Sequence, residues 1–377
     1  MRISQLSNKY CKNTRIYFGN NSSKELKKII KKKKLLIITS NNGKKRIFKN
    51  YSFLKKLNPK YIDDVNNYPS LEYVNKVLNK YEKKKIEIIL AYGGGSVLDF
   101  AKIVKSYLEI KKKISIKNLI KKINYLKSKE KIELIAIPTT AGTGSEVTNF
   151  GTIWDLKNKK KLSLESKIMF PTHAILDAKN TKSLNYINSL YTAIDALNQL
   201  FDSFWNKHSN RELKIASAKY IEKSIKNIKK INKKKISLNT RTNLLYSSLI
   251  SGICIKKTKT SICHSISYPL TSYYNVPHGL AVFFTTSEVF KLVYKRNKKY
   301  LKPLIDNTGY KYLNQIISEL NEVSSQHQIK KRIKNYIPKF SYIEKIINKM
   351  FTKARFKNFI LNINRQELNN ILIKSYK

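Results

Sequence analysis

Four side chains of this sequence could together bind one divalent metal ion: Asp195, Gln199, His264 and His278. Asp195 and Gln199 are four residues apart, so on a helix they project from the same face. The two histidines are separated by a longer stretch with two prolines, which suits two ligands with a bend between them. Carboxylate, amide and imidazole groups form a ligand set that late first-row metals accept. The sequence therefore predicts a single metal site, although Gln199 could instead hydrogen-bond a metal-bound water.

Two segments rich in glycine and hydroxyl residues could bind the phosphates of a nucleotide. Residues 93–96 (Gly-Gly-Gly-Ser) follow one aliphatic run, and residues 138–148 follow another. Glycine lets a phosphate approach the backbone closely, and a helix N-terminus offers it N–H groups. The spacing differs from Gly-x-Gly-x-x-Gly, and ordinary turns use the same residue types. Two such segments after aliphatic runs nevertheless favour a dinucleotide site at the ends of the strands.

The pattern of apolar residues changes near residue 182. Before it, short aliphatic runs alternate with amphipathic segments, as in βαβ units with a parallel sheet. Strands are predicted at residues 14–18, 35–39, 86–92, 133–138 and 174–177, helices at 70–84 and 97–107, and a hairpin at 153–164. After it the period is helical, with helices predicted around 194–204 and at 212–228, 241–254, 342–351 and 366–375. The sequence thus predicts an α/β domain over residues 1–182 and an all-α domain over residues 183–377.

The formal net charge of +52 raises the question of a polyanionic partner. Basic surfaces bind nucleic-acid backbones, so nucleic-acid binding is one interpretation. The other is codon bias, because lysine is enriched together with Ile, Asn and Tyr, which AT-rich codons specify, and the lysines are spread along the whole chain. We favour codon bias and expect no specific nucleic-acid partner, although some nonspecific binding to polyanions follows from the charge.

Cysteine content and hydropathy predict the cellular compartment. The three cysteines form no Cys-x-x-Cys pair, so neither a disulfide framework nor a zinc ribbon is indicated. No apolar run approaches the ~18 residues of a membrane-spanning helix, and the first residues lack the apolar core of a signal peptide. We therefore expect a cytoplasmic protein with no membrane partner.

The two loops, the Asp195–Gln199 helix and the segment from His264 to Gly279, in this order, resemble the iron-containing (group III) alcohol dehydrogenase family. The similarity extends from residue 15 to the C-terminus. It implies a Rossmann-like α/β nucleotide domain and an all-α domain for metal and substrate, the dehydroquinate synthase-like fold. It also implies NAD(P)H as cofactor, one divalent metal (Fe²⁺ or Zn²⁺), a small aldehyde or alcohol as substrate, and it allows a homodimer.

Carried over position by position, this resemblance assigns a role to a defined set of residues. The residues that match cofactor contacts are Ser40, Gly94, Gly95, Ser96, Asp99, Thr139, Thr140, Thr143, Ser145, Thr148 and Lys161. The residues that match the metal ligands are Asp195, Gln199, His264 and His278. The candidate catalytic residues are His264, His278 and Tyr268.

Three positions depart from the pattern of the family. Gln199 stands where most members have histidine, and a neutral amide is a poorer metal ligand, but the other three ligands would suffice for a catalytic site. Tyr268 replaces a second, non-ligand histidine, so it is either a hydrogen-bond donor to the substrate or a packed core tyrosine. Ser40 stands where NADH-preferring relatives place an acid, and with Lys44 and Lys45 nearby it favours NADPH or dual use.

Residues 195–205 and 264–271 resemble the phosphonoacetaldehyde reductase (hydroxyethylphosphonate dehydrogenase) branch of the family. That resemblance predicts reduction of phosphonoacetaldehyde to 2-hydroxyethylphosphonate, with Arg211, Lys257 or Lys259 available for the phosphonate. A general reductase of short aldehydes such as lactaldehyde, butanal or a semialdehyde fits the same motifs. In another functional class, a catalytically weakened paralogue that binds polyanions remains an alternative.

Overall fold

The computed structural model describes residues 3–31, 33–66, 69–81, 85–110, 114–129, 131–158, 160–351 and 353–377. The chain divides into two compact units. Among the described residues, the α/β unit contains those from 3 to 140 and from 144 to 184, and the helical unit contains those from 141 to 143 and from 185 to 377. The assignment of nucleotide binding to residues 1–182 and of metal binding to residues 183–377 stays a prediction.

Within the described ranges, the α/β unit is built on a parallel sheet of six strands. The strands of the unit are β1 (Arg15–Phe18), β2 (Leu35–Thr39), β3 (Lys60–Ile62), β4 (Ile88–Gly93), β5 (Glu133–Pro138), β6 (Phe150–Asp155), β7 (Lys160–Glu165) and β8 (His173–Leu176). Its helices are α1 (Ile3–Tyr10), α2 (Glu25–Ile30), α3 (Gly43–Asn50), α4 (Leu71–Tyr81), α5 (Gly95–Ile110) and α6 (Ile116–Lys122). The sheet order is β1-β8-β5-β4-β2-β3, and β6 and β7 form a separate antiparallel hairpin.

Alternate side chains of the strands enter two different cores. In β2, Leu36 and Ile38 belong to the core that contains α4, α5 and α6, whereas Leu35 and Ile37 belong to the core that contains α2 and α3. Side chains alternate between the two faces of a strand, so a sheet covered on both faces needs strands that are apolar throughout. This is why the aliphatic runs in the sequence predicted a parallel sheet.

The helical unit follows from residue 185 onward. Its helices are α7 (Tyr186–Phe204), α8 (Arg211–Ile228), α9 (Leu238–Thr258), α10 (Ile262–Tyr274), α11 (His278–Phe283), α12 (Thr286–Arg296), α13 (Lys302–Asp306), α14 (Leu313–Gln326), α15 (Ile329–Tyr336), α16 (Ser341–Glu344), α17 (Ile347–Met350), α18 (Lys353–Phe356) and α19 (Arg365–Tyr376). Among the residues described, no helix has both the length and the apolar character needed to cross a bilayer.

Helix α7 organises the part of this unit that carries the candidate metal ligands. It begins after Asn185, whose side chain accepts a hydrogen bond from the backbone N–H of Asn188 and so caps the helix. Its buried stripe, which includes Leu197 and Phe201, packs against α8, α9, α10 and α11. The predicted metal ligands Asp195 and Gln199 lie on this same helix.

The structure corrects several element boundaries. Strand 86–92 lies at Ile88–Gly93, helix 97–107 already begins at Gly95, and helix 70–84 is observed over Leu71–Tyr81, with residues 82–84 outside the described residues. The hairpin predicted at 153–164 is longer at both ends, since its strands are Phe150–Asp155 and Lys160–Glu165, and Lys159 lies outside the described residues.

The single helix predicted at 342–351 is wrong. Two short helices, α16 and α17, are found there instead. The backbone N–H of Ile346 donates to the carbonyl of Ile343, three residues back, and this tighter turn ends α16. The short strand β3 was not predicted, because three residues contain too little periodicity.

Candidate metal centre and cofactor loops

Three of the predicted ligands converge within the helical unit. Asp195 lies on α7, His264 on α10, and His278 is the first residue of α11. One ligand atom from each of the three lies within 4.8 Å of the others. Asp195 and His264 are buried, whereas His278 is partly accessible. Two imidazoles and a carboxylate are thus brought to one point by three helices.

A bend and a close helix contact bring His278 to this point. After α10, Asn275 adopts the left-handed conformation with φ 55° and ends the helix. A Cβ atom on Gly279 would lie only 1.9 Å from the carbonyl oxygen of Tyr191 on α7. Only glycine therefore permits α11 to approach α7 this closely, and that approach places His278 beside Asp195.

A buried carboxylate that sequence reasoning missed orients His264. The Nδ1 atom of His264 lies 2.7 Å from Oδ2 of Asp202, and its Nε2 atom lies 3.3 Å from Oδ1 of Asp195. Asp202 is on α7 and is fully buried, and it also accepts hydrogen bonds from Ser261 and from Trp205 Nε1. A carboxylate on Nδ1 favours the tautomer whose Nε2 faces a metal, as in many histidine-metal sites.

The pKa values of this pair follow from burial and from their mutual contact. Burial opposes ionisation of Asp202, but the hydrogen bonds from His264 and Ser261 outweigh it and hold the pKa of the carboxyl below its ordinary value. Burial likewise lowers the pKa of His264, but its contacts with Asp195 and Asp202 prevail and raise the pKa to about 9. Asp202 is therefore an anion that makes the His264 ring more basic and holds it in place.

Gln199, one turn after Asp195 on α7, is also buried. Its Oε1 atom accepts a hydrogen bond from Oγ of Ser251 on α9, with a distance of 2.9 Å. An amide oxygen has two lone pairs, so this bond leaves one for a metal or a water molecule. Direct ligation by Gln199 stays a prediction.

The donor set fits one divalent ion. Nitrogen and oxygen ligands lie about 2.1 Å from Zn²⁺ or a similar ion, so two of them on one ion are at most about 4 Å apart. Because the three ligand atoms already lie within 4.8 Å of one another, small side-chain adjustments suffice. Asp195, His264 and His278 would hold the ion, and Asp202 would support His264 from behind.

In the α/β unit, the two predicted phosphate loops follow adjacent strands. Strands β4 and β5 pair in parallel up to Gly93 and Pro138, and the backbone N–H of Thr139 donates to the carbonyl of Gly93 at 2.9 Å. A Cβ atom on Gly94 would lie 3.2 Å from Cγ2 of Thr140. Gly95 begins α5, and Ser96 lies in its first turn. The loops therefore meet at the carboxyl end of the sheet, where parallel sheets bind nucleotides.

A buried lysine connects α5 with the second loop. Nζ of Lys102 donates to Oγ of Ser145 at 2.7 Å, to Oγ1 of Thr148 at 2.9 Å and to the carbonyl of Phe150 at 2.8 Å. Asp99 completes the network, since its Oδ1 accepts from Ser145 at 2.5 Å and lies 3.4 Å from Lys102 Nζ. Burial lowers the pKa of Lys102, and the carboxylate of Asp99 opposes this shift. Ser145, Thr148 and Asp99, all predicted cofactor contacts, thus also hold the loop together.

Lys102→Met is expected to loosen this loop. The change keeps an unbranched side chain, one atom shorter, but removes the charged donor shared by Ser145 and Thr148 and leaves Asp99 without this cation. We expect a loss of about 2–3 kcal/mol in the free energy of unfolding, measured with urea, and NAD(P)H binding weakened about tenfold. Lys105→Met is the control, because Lys105 is a buried lysine on the same helix that pairs with Glu109. Equal cofactor affinity in the two variants would contradict the role of Lys102.

Of the remaining predicted cofactor residues, Ser40 and Lys161 belong to the α/β unit, whereas Thr143 belongs to the helical unit. Ser40 follows β2, and its Oγ lies 3.5 Å from a guanidinium nitrogen of Arg46. Lys44 pairs with Asp63 at 2.9 Å, and its contribution to binding a 2′-phosphate stays a prediction. Lys161 lies on β7, with its Nζ 5.8 Å from the centroid of a tryptophan ring. Arg46 is therefore a cation next to Ser40 that the sequence did not indicate.

Two family models match the chain. The model described as "Iron-containing alcohol dehydrogenase" matches residues 13–178. The model described as "Fe-containing alcohol dehydrogenase family, C-terminal" matches residues 189–376. The chain belongs to the iron-containing alcohol dehydrogenase family. The predicted family is therefore confirmed.

Individual relatives match only part of the chain. The chain is 30% identical to 4-hydroxybutyrate dehydrogenase of Clostridium kluyveri over 234 residues, which are 61% of each chain. It is 31% identical to phosphonoacetaldehyde reductase of Streptomyces viridochromogenes over 160 residues, 42% of this chain and 40% of that protein. The chain thus spans less than two thirds of the length of either relative.

A solved structure shows the same fold. It is sulfoacetaldehyde reductase of Bifidobacterium kashiwanohense in complex with NAD⁺, with a TM-score of 0.82 and 21% identity over 97% of both chains. The predicted fold, a Rossmann-like α/β part followed by an all-α part, is confirmed. The roles of the individual residues at the metal centre and in the cofactor loops stay predictions.

Proposed function

We propose that this iron-containing alcohol dehydrogenase family member is an NAD(P)H-dependent enzyme that reduces a small aldehyde to a primary alcohol, reversibly. The observation that carries the proposal is the convergence of Asp195, His264 and His278 within 4.8 Å. The two loops at the carboxyl end of the parallel sheet support NAD(P)H as the cofactor. The reaction consumes the aldehyde, NAD(P)H and one proton, and it yields the alcohol and NAD(P)⁺.

When bound, the nicotinamide supplies hydride and the divalent metal, Fe²⁺ or Zn²⁺, supplies Lewis acidity. Asp195, His264 and His278 would hold the ion, and Asp202 would keep His264 in the required tautomer. One anionic and two neutral ligands leave a net positive charge, which favours negative charge on the substrate oxygen. Tyr268, whose ring stacks on His278 at a centroid distance of 5.7 Å, is our candidate for the hydrogen-bond donor to that oxygen.

For the substrate, we propose phosphonoacetaldehyde, which would be reduced to 2-hydroxyethylphosphonate. The partial match to the Streptomyces enzyme supports this choice. The longer match to the Clostridium kluyveri dehydrogenase supports a second candidate, a semialdehyde with a carboxylate. Both candidates combine an aldehyde with an acid group. A general reductase of uncharged short aldehydes is the remaining alternative within this class.

The test is metal analysis of the purified protein combined with a panel of aldehydes. We expect about one Fe²⁺ or Zn²⁺ per chain, loss of activity with a chelator, and recovery on adding metal back. Oxidation of NADH and of NADPH is then measured with phosphonoacetaldehyde, succinic semialdehyde, lactaldehyde and butanal. Equal kcat/KM for butanal and phosphonoacetaldehyde would reject the phosphonate assignment, and no oxidation with any aldehyde would reject the reductase.

The net charge of +52 supports one candidate of another class, a weakened paralogue that binds polyanions. Binding to a DNA duplex that weakens steeply with salt, together with no NAD(P)H oxidation, would favour this candidate. The buried pairing of Asp202 with His264 argues against it, because a protein that only binds polyanions has no need for an oriented histidine.

A further inference from the structure

Tyr268 contacts both a candidate metal ligand and a guanidinium group. Its ring is nearly parallel to the His278 ring, with an interplanar angle of 6° and a centroid distance of 5.7 Å. The guanidinium carbon of Arg355 lies 4.7 Å from the centroid of the Tyr268 ring. Two short steps, one from His278 to Tyr268 and one from Tyr268 to Arg355, therefore connect the candidate metal centre with a cation.

Arg355 is held in position within the helical unit. It lies on α18, and its Nε atom donates to Oγ1 of Thr260 at 3.0 Å. The aromatic face of Tyr268 supports the guanidinium plane, and such cation–π contacts restrict the side chain. In the part of the chain that the structure describes, no carboxylate forms an ion pair with Arg355. The terminal N–H groups of its planar fork match the geometry of an acid group.

Composition alone does not explain this arrangement. With 76 Lys and Arg against 24 Asp and Glu, a basic residue near any chosen point of the surface is expected. Most of these residues are lysines, which have flexible side chains and act as point charges. Arg355 differs because a hydrogen bond and an aromatic ring fix its guanidinium group, and because that ring also packs on His278.

We propose that Arg355, positioned by Tyr268 and Thr260, binds the acid group of the substrate and selects short aldehydes with a carboxylate, phosphonate or sulfonate. The inference rests on the proposed function, because it requires the carbonyl group to bind at the metal centre. It is an alternative to binding of the phosphonate by Arg211, Lys257 or Lys259, which the sequence analysis named and which stays a prediction. It also gives Tyr268 a second role, as the spacer that sets the distance between the acid group and the carbonyl group.

The experiment compares an anionic aldehyde with an uncharged one of equal chain length. Succinic semialdehyde and butanal both have four carbons, and phosphonoacetaldehyde and sulfoacetaldehyde are added to separate the kinds of acid group. The variants are Arg355→Gln, Arg355→Lys and the control Lys357→Gln, which removes an exposed positive charge two residues away. Each protein is loaded with metal, and kcat/KM is measured for every aldehyde.

We expect Arg355→Gln to lower kcat/KM for the preferred anionic aldehyde about 10- to 100-fold, since a charged hydrogen-bond partner is lost. For butanal, we expect a change below about threefold, which also shows that the variant is folded. Arg355→Lys should retain part of the activity, because lysine keeps the charge but lacks the planar fork. Lys357→Gln should behave like the wild type with all substrates.

A binding measurement separates this inference from the proposed function. Calorimetric titration of 4-hydroxybutyrate and of 1-butanol into metal-loaded protein requires no turnover. Weaker binding of 4-hydroxybutyrate to Arg355→Gln than to the wild type, with 1-butanol unchanged, would support the role of Arg355 even if no aldehyde were reduced. Equal binding to both proteins, or a wild type that reduces butanal as well as every anionic aldehyde, would overturn it.

Discussion

Replacement of Asp195 with alanine is expected to remove the metal from the protein and to abolish aldehyde reduction. Asp195 is the one carboxylate of the group that also contains His264 and His278, and it is buried. Structural zinc sites with four ligands bind with apparent free energies of about 10–16 kcal/mol, which corresponds to roughly 2.5–4 kcal/mol for each ligand. We therefore expect the metal affinity to fall at least about 100-fold.

The measurement is metal content after dialysis against a metal buffer, followed by kcat/KM with NADH and NADPH. Asp306→Ala is the matched control, because it removes an exposed carboxylate that pairs with Lys302, four residues earlier. Circular dichroism and thermal unfolding of the metal-free proteins report whether each variant is folded. A folded Asp195→Ala protein that keeps one metal per chain would show that Asp195 is not a ligand.

The second large effect is expected for Asp202→Asn. The amide preserves the shape of the carboxylate but removes the charge that holds His264 through its Nδ1 atom at 2.7 Å. Loss of such supporting partners lowers metal affinity or activity about 10- to 100-fold. Because all three candidate ligands are still present, excess metal should restore the stoichiometry, whereas it should not do so in Asp195→Ala.

Asp202→Asn is assayed by titrating Zn²⁺ or Fe²⁺ into the metal-free protein and by measuring activity at each metal concentration. Asp306→Asn makes the same chemical change at an exposed site and serves as the control. Asp202 also accepts hydrogen bonds from Ser261 and Trp205, so the free energy of unfolding is measured in parallel. If Asp202→Asn lowered the free energy of unfolding but left the metal affinity unchanged, Asp202 would stabilise the fold without supporting the metal site.

The local patterns that predicted the elements have clear physical origins. Strands β2 and β5 were predicted at their observed bounds because both faces of the sheet are covered, which makes the strands aliphatic throughout. The start of α5 was misplaced because Gly95 and Ser96 resemble a turn, although in the structure they belong to the first turn of the helix. Helix ends depend on capping and on tertiary contacts, which sequence periodicity does not record.

The residues that were missed share one property, which is that their partners are far away in the sequence. Asp202 follows Asp195 and Gln199 on the same face of α7, so spacing could have suggested it, but its partner His264 is 62 residues further on. Lys102 is one turn after Asp99 on α5, and its partner Ser145 is 43 residues away. The sequence around Arg355 does not distinguish it from the other basic residues of the chain. Only its contact with Tyr268 in the structure does so.

The sequence by itself determined which types of side chain are present, their order along the chain, and the succession of an α/β part and a helical part. These properties depend on local periodicity and on residue chemistry, both of which can be read from a linear string. Only the tertiary structure decided that Asp195, His264 and His278 lie close together and that Asp202 contacts His264. The same holds for the contact of Arg355 with Tyr268, whose ring stacks on His278. The reason is that these distances depend on how α7, α10, α11 and α18 pack, and close packing of whole helices is a property of the entire core.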